Sequence, residues 1–167
     1  VQGSRIFQGT ALQLVDDKGR VAIPSSLRQT LFARNPGAPD PKDLCQVVIG
    51  FHGTDRCLIG YDPAYSETLY AQLEERARTH SGPDGAPNDM ILRAGLAGEI
   101  VPFDGSGRFI MPPFARRRAK IAKYAFFHGV GSHFEIWDPA ELLASDTAAD
   151  VMKDAVRFYL EDRGEAL

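Results

Sequence analysis

A chain of 167 residues, 44% hydrophobic and 25% charged, is long enough to bury a real core, as one domain or as two small fused ones. No run approaches the about 18 consecutive apolar residues of a membrane span, and no basic-then-apolar leader opens the chain, so a cytoplasmic protein is expected. The net charge of −3 does not by itself advertise a polyanion partner. Cys45 and Cys57, outside any C-x-x-C spacing, read as reduced small hydrophobes, with no metal and no cofactor expected.

In chain order, Thr10–Leu14 alternates as a half-buried strand and runs into V-D-D-K-G-R-V-A-I-P-S-S-L-R over Val15–Arg28. A short helix after Pro24 carries Leu27 and Leu31 at i, i+4. Asn35–Lys42, with three prolines and a glycine, predicts a loop. Cys45–Phe51 and Cys57–Tyr61 are apolar runs around His52–Arg56 and predict a hairpin. Asp62-Pro63 starts a helix running to about Arg78, with Leu69, Leu73 and Ala77 on one face. Residues 81–87 (S-G-P-D-G-A-P) form the linker between residues 5–80 and 88–147. After a short helix from Asn88 to about Leu96, Glu99–Phe103 predicts a strand entering F-D-G-S-G-R-F-I-M-P-P-F-A-R over Phe103–Arg116. Helix Phe114–Ile121, a second hairpin of Tyr124–Val130 and His133–Trp137, and a helix from Asp138-Pro139 complete this half. Residues 148–167 form an extension, in which Val151, Ala155, Phe158 and Tyr159 mark an amphipathic helix over Ala149–Asp162.

Two blocks repeat in the same order. At an offset of 88 positions, Asp16 falls on Asp104, Gly19 on Gly107, Arg20 on Arg108, Pro24 on Pro112 and Arg28 on Arg116. At an offset of 76, Phe51-His52-Gly53 falls on Phe127-His128-Gly129, and Tyr61-Asp62-Pro63-Ala64 on Trp137-Asp138-Pro139-Ala140. Ordered repetition of this kind marks a duplicated module. Each module, with about four short strands, is too small to bury a core alone. Paired sheets in a pseudo-twofold barrel would solve that and bring both D-x-x-G-R tips to one face.

The tips have a physical logic. Asp16 and Asp104 can bond the backbone of a tight turn, and Gly19 and Gly107 accept the positive φ that such a turn ends on. Arg20 and Arg108 then stand at the mouth of the outgoing strand. Charge is segregated to match. In residues 1–34, Arg5, Lys18, Arg20, Arg28 and Arg34 oppose Asp16 and Asp17, a net +3. In residues 99–123, Arg108, Arg116, Arg117, Arg118, Lys120 and Lys123 oppose Glu99 and Asp104, a net +4, which leaves −10 for the rest. Two basic repeat cores on an acidic body favour a polyanion at one face. The plainer reading is that each aspartate closes a hairpin, each arginine pairs with it for about 0–1 kcal/mol, and Arg116–Lys123 is a solvated helix face.

The chain resembles the MraZ family, built from two AbrB-like (SpoVT/AbrB) modules. The resemblance runs over roughly Phe7 to Ala140 and rests on F-Q-G, D-D-K-G-R-V-A-I-P, C-L-I-G-Y-D-P, L-R-A-G-L-A-G-E, D-G-S-G-R-F-I-M-P and F-E-I-W-D. It implies an α+β fold in which two β-α-β modules pair into a pseudo-twofold β-barrel with peripheral helices. It further implies a sequence-specific, nucleoid-associated DNA-binding regulator, a repressor of its own division and cell-wall operon, assembled as a ring-shaped homo-oligomer on tandem G-rich boxes. On matching positions, Arg20 and Arg108 would lead the contacts to double-stranded DNA, supported by Lys18, Arg28 and Arg116. Asp16, Gly19, Asp104 and Gly107 would hold the turns. The sequence departs from the family pattern in its Pro-rich insert and in keeping only Arg93 before the second copy.

Two other classes share parts of this pattern. An AbrB-like antitoxin or transition-type regulator would bind DNA as a dimer, with the C-terminal helix as a partner-binding tail; the two-module length argues against it. An enzyme finds little support. Gly129-Val130-Gly131 lacks the third glycine and the strand-to-helix setting of a dinucleotide loop. His128 and His133 have no carboxylate or cysteine at zinc-ligand spacing. His52 and His128, at equivalent positions, read as turn residues.

Overall fold

The computed structural model describes residues 4–34, 45–80, 82 and 84–166. The predicted loop Asn35–Lys42 lies outside the described residues, as do Ser81 and Pro83 of the linker. Strand β1 (Thr10–Leu14) enters the first turn, β2 (Arg20–Ala22) leaves it, and α1 (Ser25–Ala33) follows. Next come β3 (Gln46–Phe51), β4 (Leu58–Tyr61), a 3₁₀ turn at Pro63–Tyr65 continuing into α2 (Ser66–Thr79), and α3 (Asp89–Gly95). The second half repeats the order as β5 (Glu99–Pro102), β6 (Arg108–Ile110), α4 (Pro113–Arg118), β7 (Tyr124–Gly129), β8 (Phe134–Trp137) and α5 (Pro139–Ala144), followed by α6 (Asp150–Asp162).

Local chemistry sets the boundaries. Pro24 and Pro112 hold the residue before α1 and α4 in an extended conformation, and Pro113 and Pro139 occupy the first helical turn, where a missing N–H costs nothing. Asn88 caps α3 by accepting from the Met90 amide, and Asp138 caps α5 by accepting from the amides of Ala140 and Glu141.

Six strands form one antiparallel sheet in the order β1-β7-β8-β4-β3-β5, while β2 and β6 pair separately as a two-stranded ribbon. Exchanging each first-half strand for its second-half counterpart reproduces the same order read from the other end. The strand before each turn pairs with the other half: β1 with β7, and β5 with β3. Both halves therefore share one sheet. Its inner face, with Val47, Ile49, Leu58, Phe127, Phe134 and Ile136, meets Val21, Ile23, Phe109 and Met111 of the ribbon and Leu27, Leu31 and Ala115 of α1 and α4. The opposite face buries Leu12, Phe126 and Trp137 under Leu142 of α5 and Met152, Val156 and Leu160 of α6.

The fold is α+β, as expected, but the expected barrel does not close. Among the described residues β1 and β5 end the six-stranded sheet without pairing to each other, and the ribbon is a separate layer. The cause lies at the turns. The Val15 amide bonds the Lys123 carbonyl, after which the chain leaves the sheet, so the strands flanking a turn pair with different partners instead of with each other.

The C-terminal helix forms over the expected residues but with a rotated face. Met152, Val156 and Leu160 are buried, whereas Val151 and Phe158 are 67% and 64% exposed. Two polar anchors set the rotation. The Tyr159 hydroxyl donates to the Thr10 carbonyl, and the Arg163 guanidinium to that of Leu12, so α6 covers the outer edge of β1. The exposed edge carbonyls decide what periodicity alone left open. His52 is a turn residue as expected, its Nδ1 accepting from the Thr54 and Asp55 amides at 3.2 and 3.0 Å. His128 is not: it lies within β7, opposite Thr10 and Glu135. No helix among the described residues is long and apolar enough to cross a membrane.

Candidate nucleic-acid interface

Each D-x-x-G-R element is a closed hydrogen-bonded unit. Asp16 Oδ1 accepts from the amides of Lys18 (2.9 Å) and Arg20 (2.8 Å), and Oδ2 accepts from Arg20 Nε at 2.7 Å. The second copy matches it. Asp104 Oδ1 accepts from the amides of Ser106 and Arg108, both at 2.9 Å, and Oδ2 from Arg108 Nε at 3.0 Å. Gly19 and Gly107 sit at φ +82° and +83°, the left-handed conformation these turns require. The Asp–Arg pair of the plainer reading is therefore present. It engages only Nε, and among the described residues both terminal amino groups of each arginine are without a hydrogen-bond partner. The carboxylate aims the guanidinium outward, with 53% of the Arg20 side chain and 63% of the Arg108 side chain exposed.

The ribbon places the two arginines together. β2 and β6 are antiparallel with Arg20 opposite Ile110, Val21 opposite Phe109, and Ala22 opposite Arg108. Directly opposed residues share a face, so Arg20, Ala22, Arg108 and Ile110 line the outside while Val21 and Phe109 are buried. From a rise of about 3.4 Å per residue and a strand spacing of about 4.8 Å, the two arginine Cα atoms lie roughly 8 Å apart. Ile110, 59% exposed, stands beside both, opposite Arg20 and two residues along β6 from Arg108.

Arg28 and Arg116 play a different part. Arg28 Nη1 donates to the Ser106 carbonyl of the opposite turn at 2.6 Å and to that of Ile23 at 3.3 Å. Arg116 lies against Gly19, its Nε donating to the Ile121 carbonyl and Nη2 to that of Ala122, both at 3.0 Å. Arg28 thus bonds the other half's turn directly, whereas Arg116 packs against the other half's turn while bonding carbonyls of its own half. Backbone bonds repeat the exchange, from the Ile23 amide to the Gly107 carbonyl (2.8 Å) and from the Met111 amide to that of Gly19 (2.9 Å). A Cβ on Gly107 would lie 2.4 Å from Arg28 Nη1 and 2.9 Å from the Ile23 carbonyl, so the second turn has no room for a side chain, whereas at Gly19 the nearest atom would be Arg116 Nη1 at 3.4 Å and the positive φ alone favours glycine.

Other charges sort by place. Arg34 is turned inward, with Nε 2.9 Å from Asp62 Oδ1 and its guanidinium 4.9 Å from the ring centres of both Phe7 and Tyr65. It contributes nothing to an outer basic face. Burial pushes the Asp62 carboxyl up, against the opposing pull of Arg34. Lys123 is held by Glu165 at 2.7 Å. Lys18, Arg116, Arg117 and Lys120 line a groove of about 410 Å³ beside the first turn. Charge segregation places that helix in a basic segment suited to a polyanion, with a solvated face as the plainer reading; its position against the first turn needs the fold. Ile110 and the bracing role of Arg28 and Arg116 carry no sequence signal beyond the repeat itself. Among the described residues no group of three or more His, Cys, Asp or Glu is placed to hold a metal ion.

Both turn carboxyls are held below the usual aspartate range. For Asp16 the Arg20 amide bond is the main cause, followed by the bond from its guanidinium; for Asp104 the Arg108 amide leads. A depressed folded pKa contributes stability that is complete above the unfolded value of about 3.9 and is lost as pH falls through the folded value. Urea midpoints should therefore drop for the wild type as pH is lowered below about 4. A flatter profile is expected for Asp16→Asn/Asp104→Asn in that window, and identical profiles would show that the carboxylates do not hold the turns.

The family described as "MraZ protein, putative antitoxin-like" matches residues 6–82 and 98–153, spanning both turns. The "Transcriptional regulator MraZ" of Ruegeria sp. (strain TM1040) is 34% identical over 137 residues, covering 81% of this chain and 78% of its own length. Proteins of the same name from Saccharophagus degradans and Pseudomonas fluorescens (strain SBW25) are each 32% identical; they cover 87% and 94% of this chain, and 90% and 98% of their own lengths.

Proposed function

The chain belongs to the MraZ family, and from that membership and the paired arginine turns we propose that it is a DNA-binding transcriptional regulator, not an enzyme. In this reading it represses its own division and cell-wall operon by binding tandem G-rich boxes upstream, and it is associated with the nucleoid. The observation that carries the reading is the ribbon, on which two arginines with free terminal amino groups stand on one face. A guanidinium can bond guanine O6 and N7 together, discriminating against other bases by about 1–3 kcal/mol. Lys18, next to the turn glycine, supplies a phosphate contact. Arg28 and Arg116 support the contact by holding the opposite turn in place.

Two arginines per chain make a modest reader. A ring of identical chains on tandem boxes raises the effective concentration of each further contact, strengthening binding by about 10²–10⁴-fold. The test is fluorescence anisotropy with the protein's own upstream duplex against a scrambled one across salt. We expect selective binding, with log K falling by about 0.9 per phosphate contact as log salt rises. Indifference to sequence would overturn the reading. A solution mass well above a dimer is expected from light scattering; a dimer would favour the antitoxin-like alternative.

A further inference from the structure

The two corners of the ribbon share the same turn and the same cross-half backbone bonds but differ in charge and in where the following helix ends. The first corner joins the Asp16–Arg20 turn to α4, and its groove is lined by Asp17, Lys18, Arg117 and Lys120 around the bracing Arg116. The second joins the Asp104–Arg108 turn to α1, where Arg28 donates to the Ser106 carbonyl of that turn. At the repeat offset of 88, Lys18 becomes Ser106, Arg117 becomes Gln29, Lys120 becomes Phe32 and Asp17 becomes Gly105. The first corner thus carries a net +2 at these positions and the second none.

The backbone at Lys120 adds an independent observation. Helix α4 ends with the Ile121 amide bonding the Arg116 carbonyl at 3.1 Å and the Lys120 amide bonding that of Arg117 at 3.2 Å, the paired bonds of a left-handed helix stop. The residue in the left-handed conformation is normally glycine. Here it is Lys120, at φ +56°, the sole non-glycine residue at positive φ among the described residues. A lysine kept where glycine is less strained points to a use for its side chain. That side chain borders the groove, and among the described residues its one ion pair, to Glu141 at 3.5 Å, is long, with Lys120 exposed and Glu141 half-buried. Arg117 is exposed and, among the described residues, makes no side-chain hydrogen bond or ion pair.

We propose that Lys18, Arg117 and Lys120 form a clamp for DNA phosphates on the first corner only, so that the ribbon engages a duplex in one orientation. This rests on the DNA-binding reading above. A one-sided clamp explains how a nearly twofold scaffold could follow a directional, tandem site: the phosphate contacts, not the two arginines, break the symmetry.

The test uses the full chain and a fluorescein-labelled duplex of its own upstream region. Arg117→Gln/Lys120→Gln should shallow the log K against log salt slope by about 1.8, two contacts at about 0.9 each, while keeping preference over the scrambled duplex. Lys120→Gly should melt no lower than the wild type and still shallow the slope by about 0.9. Gln29→Arg/Ser106→Lys, which copies two of the three clamp charges onto the second corner, should steepen it. Phosphate-ethylation interference should mark one flank of the guanines only. An unchanged slope in Arg117→Gln/Lys120→Gln, or interference on both flanks, overturns the clamp while leaving the arginine reading intact if the wild type still prefers its own duplex. A wild type that prefers neither duplex overturns both.

Discussion

Replacing Arg20 and Arg108 together by alanine should remove discrimination between the upstream duplex and a scrambled one. Each bidentate guanine contact contributes about 1–3 kcal/mol, so the pair amounts to roughly 30-fold to 10⁴-fold in affinity ratio. The fold should survive, because both side chains are largely exposed and each Asp–Arg pair stabilises by only about 0–1 kcal/mol. Residual binding should remain salt-dependent and indifferent to sequence. The two single mutants should share the loss, with coupling between them, since the guanidinium groups stand on one ribbon face within reach of neighbouring base pairs. A double mutant that still prefers the upstream duplex would place sequence reading elsewhere on the surface.

Phe134→Ala should be the most damaging single core change, at about 3–5 kcal/mol of the roughly 5–15 kcal/mol that a domain commonly holds. Phe134 is fully buried in β8, packed edge-on against Phe7 at 5.3 Å between ring centres and tilted against Phe127 at 6.0 Å. It lies directly over Gly60 of β4, its register partner at the join between the two halves. A Cβ on Gly60 would lie 2.3, 2.4 and 2.9 Å from three atoms of the Phe134 ring, and the flanking rings leave that side chain nowhere to retreat. Gly60→Ala should therefore destabilise the wild type by overpacking, about 1–3 kcal/mol, yet stabilise a Phe134→Ala background, where the added methyl fills part of the void. Urea unfolding of the four proteins measures the cycle. Additive effects would show that the ring does not rest on the glycine.

The two predictions differ in how far the sequence exposes them. The turns were legible because their chemistry is local: an aspartate bonds amides two and four residues ahead, and a glycine three ahead takes the left-handed conformation. The duplication was legible for the same reason, since D-x-x-G-R survives in both copies. The strands and most helices followed from alternation, prolines and caps. The seat of Phe134 on Gly60 was not legible, because those residues lie on different halves and meet only when β4 pairs with β8. The buried face of α6 was misread because Val151 and Phe158 are apolar and helically spaced. What turned the helix was the edge of β1, held by Tyr159 and Arg163 from the far end of the chain.

What the sequence determined by itself, then, is the proposed reading device: two turns that each aim an arginine, repeated so that there are two of them, on basic segments within an acidic chain. Interactions spanning five residues suffice to specify that. Tertiary structure decided how the device is mounted. Because the strand before each turn joins the sheet with the other half, β2 and β6 are left to pair with each other, and this sets Arg20 and Arg108 on one face. The same exchange carries Arg28 to the turn at Ser106, 78 residues away, and Arg116 to Gly19. It also brings Arg117 and Lys120 beside Lys18. Contacts between residues so far apart depend on which strands pair, and strand pairing is settled by the shared core that neither half can bury alone.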